Sequence, residues 1–197
     1  MPFLKETTKE TLNHLLDRIA QKNGLRHTIY FPNGDKYTGE WLHDKKHGKG
    51  TEVYKKTGAI YDGDWKDGKR NGFGTFSTLQ RASKEHVKVY SGGWKNDKKD
   101  GYGTYLYSES VYYEAGGNRY EGTWKDGMKH GPGKFFFPDK GQLYEGVWAQ
   151  DIAKCGTLVD SGRGEASDPT TYPIPKVCLT DVQSVLMEAQ SHLKERE

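Results

Sequence analysis

Ten rings are the residues of this chain whose type and spacing could do chemistry: Tyr37, Trp41, Tyr61, Trp65, Tyr90, Trp94, Tyr120, Trp124, Tyr144 and Trp148. They fall in five copies of Tyr-x-Gly-x-Trp (YTGEW, YDGDW, YSGGW, YEGTW and YEGVW), which hold all five tryptophans of the protein. The chemistry of a regular row of rings is recognition. Its faces accept cations, its edges pack, and an open stripe anchors a partner helix or peptide. The same rings are also a means of holding a fold together, and both roles fit one stripe.

A second set is cationic. Lys45 and Lys46, Lys69 and Arg70, Lys98 and Lys99, and Lys129 with His130 recur between the ring motifs. Regular spacing predicts that Lys45, Lys46, Lys69, Arg70, Lys98, Lys99 and Lys129 line one edge, where an anionic membrane could read them. Asp44, Asp67, Asp97, Asp100 and Asp126 share those segments and dilute the field, which argues against nucleic acid as a partner. His43 and His47 are close in sequence, but no Cys or His cluster has the spacing of a metal site, so no metal or other cofactor is expected. The Gly-x-Gly pairs lack the third glycine and the Lys-Ser/Thr of phosphate loops. No nucleophile elbow is present, and no catalytic residue is assigned.

The elements that position these residues are legible in the spacing. From each Tyr, the first Gly of a Gly-x-Gly pair follows eleven residues later in four copies, giving Gly48/Gly50, Gly72/Gly74, Gly101/Gly103 and Gly131/Gly133. The fifth copy reads AKCGT, one residue shorter, and keeps only Gly156. Tyr, Gly and Trp at i, i+2 and i+4 share one face of a strand. A polar turn (LHDKKH, KDGKRN, KNDKKD, KDGMKH) is predicted next, then a second strand opened by Gly-x-Gly. One hairpin is marginal alone, and stacking hairpins edge to edge buries the ring face as a ladder. Gly39, Gly63, Gly92, Gly122 and Gly146 are expected to leave room for the rings.

Residues 25–160 therefore read as an array. A helical cap over 1–24 carries Leu12, Leu15, Leu16 and Ile19 on one stripe. A linker covers 161–179, and an amphipathic helix over 180–197 carries Val182, Val185, Leu186, Ala189 and Leu193. The Tyr-to-Tyr intervals are 24, 29, 30 and 24. The longer third interval contains Tyr113-Glu114-Ala115, the opening of another copy that breaks off, which predicts that repeats are missing at this junction.

Composition sets the outer bounds. Hydrophobic residues make up 33% of 197 residues and the net charge is +3, so the core is thin and charge balance alone selects no partner. Cys155 and Cys178 lie in dissimilar segments and read as unpaired thiols. No apolar run suits a signal peptide or a membrane span, and Pro2 excludes N-myristoylation. A cytoplasmic protein, soluble or peripheral to a membrane, is expected.

The pattern Tyr-x-Gly-x-Trp followed by Gly-x-Gly resembles the MORN (membrane occupation and recognition nexus) repeat over residues 37–157, with a half copy from Asn23. The resemblance implies an all-β, elongated, single-layer antiparallel sheet of stacked hairpins. It also implies scaffolding, homodimer formation or membrane association rather than catalysis. The stretches NGLR, KKTGAIYDGDWKDGKR, GQLYEGVW and YPIP narrow it to one vertebrate branch. That narrower likeness implies an adaptor of male germ cells linked to spermatogenesis, with vesicle, acrosomal or cytoskeletal association and regulatory or cytoskeletal protein partners. The function expected is thus a scaffold for protein partners, the alternative a tether to anionic phospholipid.

Overall fold

The computed structural model describes residues 16, 19–80, 83–107 and 117–175. The expected N-terminal and C-terminal helices and the Tyr113–Ala115 junction fall wholly or mostly outside those residues. What is described is one antiparallel sheet whose eleven strands follow chain order. They are β1 (Gly24–Tyr30), β2 (Lys36–Leu42), β3 (Lys45–Val53), β4 (Ile60–Lys66), β5 (Lys69–Leu79), β6 (His86–Lys95), β7 (Lys98–Leu106), β8 (Arg119–Lys125), β9 (Met128–Phe137), β10 (Gln142–Ala149) and β11 (Ile152–Asp160). This is the all-β stack of hairpins that the spacing predicts.

The turns are tighter than expected. The six-residue polar segments are mostly strand, and the chain reverses over two residues: His43-Asp44, Asp67-Gly68, Asn96-Asp97, Asp126-Gly127 and Gln150-Asp151. All ten have positive φ, from 48° to 91°. That is the type I′ geometry, whose twist matches the flanking strands, and Asn, Asp and Gly tolerate it best. The longer interval before Tyr90 is an extended hairpin, with β5 running to Leu79 and β6 starting at His86.

The two glycines of Gly-x-Gly do different work. Within each of the first four full hairpins the register slips between the middle glycine and the tryptophan, so three residues of the second strand face one of the first. The first glycine of each pair, Gly48, Gly72, Gly101 or Gly131, sits in that bulge with φ between 59° and 109°, where a side chain would be strained. The second glycine lies opposite the middle glycine of its hairpin, as Gly39 with Gly50 and Gly92 with Gly103. The shortened fifth copy bulges by one residue fewer, between Val147 and Trp148, and so dispenses with the first glycine.

Alternation gives the sheet two faces. The ring face carries the Tyr and Trp of every copy; the outer face carries the residues between them. Lys66 pairs with Lys69 and Lys95 with Lys98 at the strand ends, one step beyond the Trp65–Arg70 and Trp94–Lys99 pairs. Each basic pair is therefore split, one residue to each face. Residues 161–175, read in the sequence as a linker, fold back on the end of the sheet. The Ile174 amide donates to Asp160 Oδ2 (3.0 Å), and the Asp168 amide to the Asp139 carbonyl (2.9 Å).

Candidate functional site

The ring face is a zipper. Each tyrosine meets the tryptophan of its own copy and that of the next, edge to face: Tyr37 with Trp41 and Trp65 (5.2 and 5.4 Å between centroids), Tyr61 with Trp65 and Trp94 (5.0 and 5.4 Å). The pattern continues through Tyr90 and Tyr120 to Trp148, where Tyr144 closes the row at 5.3 Å. Edge-to-face rings place a positive edge on a negative face, worth about 0.5–1.5 kcal/mol per pair beyond the area buried.

Hydrogen bonds fix the rings. The hydroxyls of Tyr37, Tyr61, Tyr90 and Tyr120 each donate to the carbonyl three residues on, at 2.9–3.1 Å. To reach it, each tyrosine lies across the paired glycines of its hairpin. A Cβ on Gly92 would come 2.6 Å from the Tyr90 hydroxyl. The indole N–H groups of Trp65, Trp94 and Trp124 donate to the carbonyls of Gly50, Gly74 and Gly103 in the preceding hairpin, at 2.9–3.2 Å. Burial pushes the phenols of Tyr37, Tyr61 and Tyr90 well above their usual pKa, and that of Tyr120 up to about 12.

The ten rings do not form the open stripe that the sequence suggests. Nine are buried and only Tyr144 is half-buried. What covers them is a second row of half-buried rings, among them Tyr54, Phe76, Tyr105 and Phe135, together with cations. Lys46 Nζ lies 4.7 Å from the Trp65 ring, Arg70 Cζ 4.2 Å from Trp94, and Lys99 Nζ 4.0 Å from Trp124. Lys22 takes the same place over Trp41 at 5.3 Å, and Lys129 lies 5.7 Å from Tyr120. Lys46 is also paired with the buried Glu52. Burial drives the Lys99 pKa down to about 8 despite the ring faces around its ammonium, which favour the charge.

This arrangement divides the predicted basic edge. Lys45, Lys69 and Lys98 are exposed on the outer face, whereas Lys46, Arg70, Lys99 and Lys129 fold over the rings. The second set works inside the fold, and no single edge gathers all seven. The sequence offered a signal for this: residues flanking a two-residue turn share a face, and the next pair inward lies on the other.

The turns are stitched to one another. The amides of Asp44, Gly68, Asp97, Gly127 and Asp151 donate to the carbonyls of Lys22, Lys46, Arg70, Lys99 and Lys129 one hairpin back, at 2.8–3.1 Å. Where the turn residue is aspartate its carboxylate accepts the return amide: Lys22 to Asp44 (2.7 Å), Arg70 to Asp97 (3.0 Å) and Lys129 to Asp151 (2.8 Å). Where it is Gly68 or Gly127, the return bond is missing.

Among the described residues no three His, Cys, Asp or Glu side chains converge on a metal site, and no helix is long and apolar enough to cross a membrane. Cys155 is a free, exposed thiol; Cys178 lies outside the described residues. The ring face carries shallow open depressions rather than an enclosed pocket. One of about 540 Å³ is lined by Tyr54, Ala59, Arg70 and Phe76, and one of about 370 Å³ by Phe135, Phe137, Tyr144 and Leu158.

An open single-layer sheet of stacked hairpins, sealed by its own ring zipper, defines a β-repeat array. The MORN repeat model matches residues 37–58, 61–78, 90–110 and 120–142. The chain is 48% identical to MORN repeat-containing protein 3 of Xenopus laevis, over 98% of both chains. It is 44% identical to the proteins of that name from Bos taurus (98% of this chain, 97% of the relative) and Homo sapiens (100% and 99%). It belongs to the MORN repeat family. The Xenopus alignment runs over 233 positions against a chain of 197 residues, so the relative carries residues inside the matched span that this chain lacks.

Proposed function

We propose that the chain is a non-enzymatic adaptor whose ring face holds regulatory or cytoskeletal protein partners across several repeats. The observation that carries this reading is the continuous zipper. It fixes successive hairpins in one register, so the half-buried second row (Tyr54, Phe76, Tyr105, Tyr107, Phe135) stands as one rigid strip. A preorganised strip of rings loses little entropy on binding and suits a helix or an extended segment. The ten ladder rings support that strip from beneath. A role in spermatogenesis and a cytoplasmic place, at vesicles or the acrosome of germ cells, complete the reading by likeness to the vertebrate relatives.

A tether to anionic phospholipid is the weaker reading, because only Lys45, Lys69 and Lys98 of the seven basic residues lie exposed on one face. Proximity labelling in testis cells, with the full chain and with a Phe76→Ser/Tyr105→Ser variant, tests the adaptor. The expected result is a discrete set of labelled proteins lost with the variant. An unchanged set would overturn docking on the ring face. Flotation of the native chain with phosphatidylserine vesicles, abolished by Lys45→Gln/Lys69→Gln/Lys98→Gln, would favour the tether.

A further inference from the structure

The outer face breaks the repeat rule at one place. The residue before the second glycine of Gly-x-Gly is Lys49 in the first copy, ion-paired with Asp64 at 2.5 Å, and Pro132 in the fourth, with Cys155 before the single Gly156 of the fifth. In the two middle copies it is Phe73 and Tyr102, which are 59% and 65% exposed. Phe73 lies opposite Gly93, and Tyr102 is on the far side of that same residue. Gly93 stands where the other copies carry Glu40, Asp64, Thr123 and Val147. Two exposed rings therefore flank Gly93, two strand spacings apart, roughly 10 Å, with a floor of backbone between them because the Asp100 carbonyl takes the place of a Gly93 Cβ. A structural need of the array would recur in every copy. This ring pair does not.

Beside it, at the turn end of the same face, Lys45, Lys66, Lys69, Lys95, Lys98 and Lys125 are all exposed. Of these six, Lys98 is the only one with an ion-pair partner among the described residues, Asp126 at 3.4 Å. Between the second and third turns lies a depression of about 570 Å³, lined by Lys66, Lys69 and Lys95 with Asn71 and Asn96, and also by Asp67 and Asp100.

We propose that this outer patch receives an acidic segment of a protein partner that carries an apolar residue: carboxylates meet the lysine row, and the apolar side chain packs between the exposed rings of Phe73 and Tyr102. Charge complementarity selects the acid. The mixed lining selects a peptide over a phosphate, since Asp67 and Asp100 can accept from backbone amides, donors that a phosphate lacks. The inference rests on the adaptor reading and adds a second surface on the opposite side of the sheet, which lets one chain hold two partners at once.

The test is selection of short random peptides displayed on phage against the immobilised full chain, followed by anisotropy titration of the winners. Variants are Phe73→Ser/Tyr102→Ser and Lys66→Gln/Lys69→Gln/Lys95→Gln, at exposed positions, with the circular dichroism melt expected to stay unchanged. The expected winners are rich in Asp and Glu around an aromatic or aliphatic residue, and each variant weakens them roughly tenfold or more. No enrichment, or winners that bind both variants as well as the native chain, would overturn the proposal. Winners lost only with Phe76→Ser/Tyr105→Ser would overturn it while leaving the adaptor standing. Phosphatidylserine vesicles bound through the same lysines, with no peptide selected, would assign the patch to a membrane instead.

Discussion

The first and last full hairpins lack opposite halves of the same unit. In the interior, a tyrosine is covered by the tryptophan of the next copy, and a tryptophan donates to a glycine carbonyl of the preceding one. Trp41 has its own Tyr37 but no earlier tyrosine, Phe31 standing there at 6.4 Å, and its indole N–H has no partner among the described residues. Tyr144 keeps its own tryptophan but meets no later one, and it is half-buried where Tyr37, Tyr61 and Tyr120 are fully covered. Each repeat is thus completed from both sides, and the energy lies between copies as much as within them.

The largest break in that comparison comes from the paired glycines. Gly92→Val should destabilise by about 4 kcal/mol or more, because a branched side chain meets the Tyr90 hydroxyl and the facing Gly103 backbone. Gly156→Val also meets a backbone carbonyl, that of Glu145, but the ring it displaces is the half-buried Tyr144, which no later tryptophan packs on, so it should cost less. Urea midpoints read the difference, and equal midpoints would remove the distinction between interior and end.

Next come the indoles. Trp94→Phe strands the Gly74 carbonyl and should cost roughly 1–2 kcal/mol more than Trp41→Phe, whose N–H has no partner among the described residues. Thermal melts of the two variants side by side test this. Identical losses would mean that the indole bonds add nothing.

A smaller effect separates the two kinds of turn. Asp97→Asn keeps a residue that tolerates positive φ but removes the charge from the clamp on Arg70, so it should cost about 0.5 kcal/mol, more at low salt than at high. The same change at Asp67, whose neighbour Gly68 makes the stitch, should leave the melt unmoved.

The subtlest test is pH. The folded-state pKa of Lys99, about 8, lies below that of an unfolded lysine, so the unfolded chain binds more protons between them. Stability of the native chain relative to Lys99→Met should therefore rise from pH 8 toward about 10.4. A flat difference would place the ammonium in water rather than over Trp124.

Much of this was readable from residue spacing. Tyr, Gly and Trp at alternate positions define the ring face, and the second glycine of each pair marks where a tyrosine must lie. The division of the basic pairs was not read, because the polar segments look like long turns until the two-residue reversal is known. Once His43-Asp44 is the whole turn, alternation puts Lys45 outside and Lys46 on the rings. The second row that closes over the ladder was missed for a different reason. It comes from Phe76 and Tyr105, which follow the glycines and look like ordinary strand residues. Phe73 and Tyr102 were not singled out, although their departure from Lys49 and Pro132 was visible.

The in-order pairing of all eleven strands has a metric consequence. Each hairpin advances the array by two strand spacings, roughly 10 Å, and the whole spans about 48 Å. Gaining or losing a hairpin leaves the chemistry of the others intact and changes one thing, the separation of whatever is bound at either end. The protein is a ruler with a fixed graduation, and a form with fewer copies measures a shorter interval.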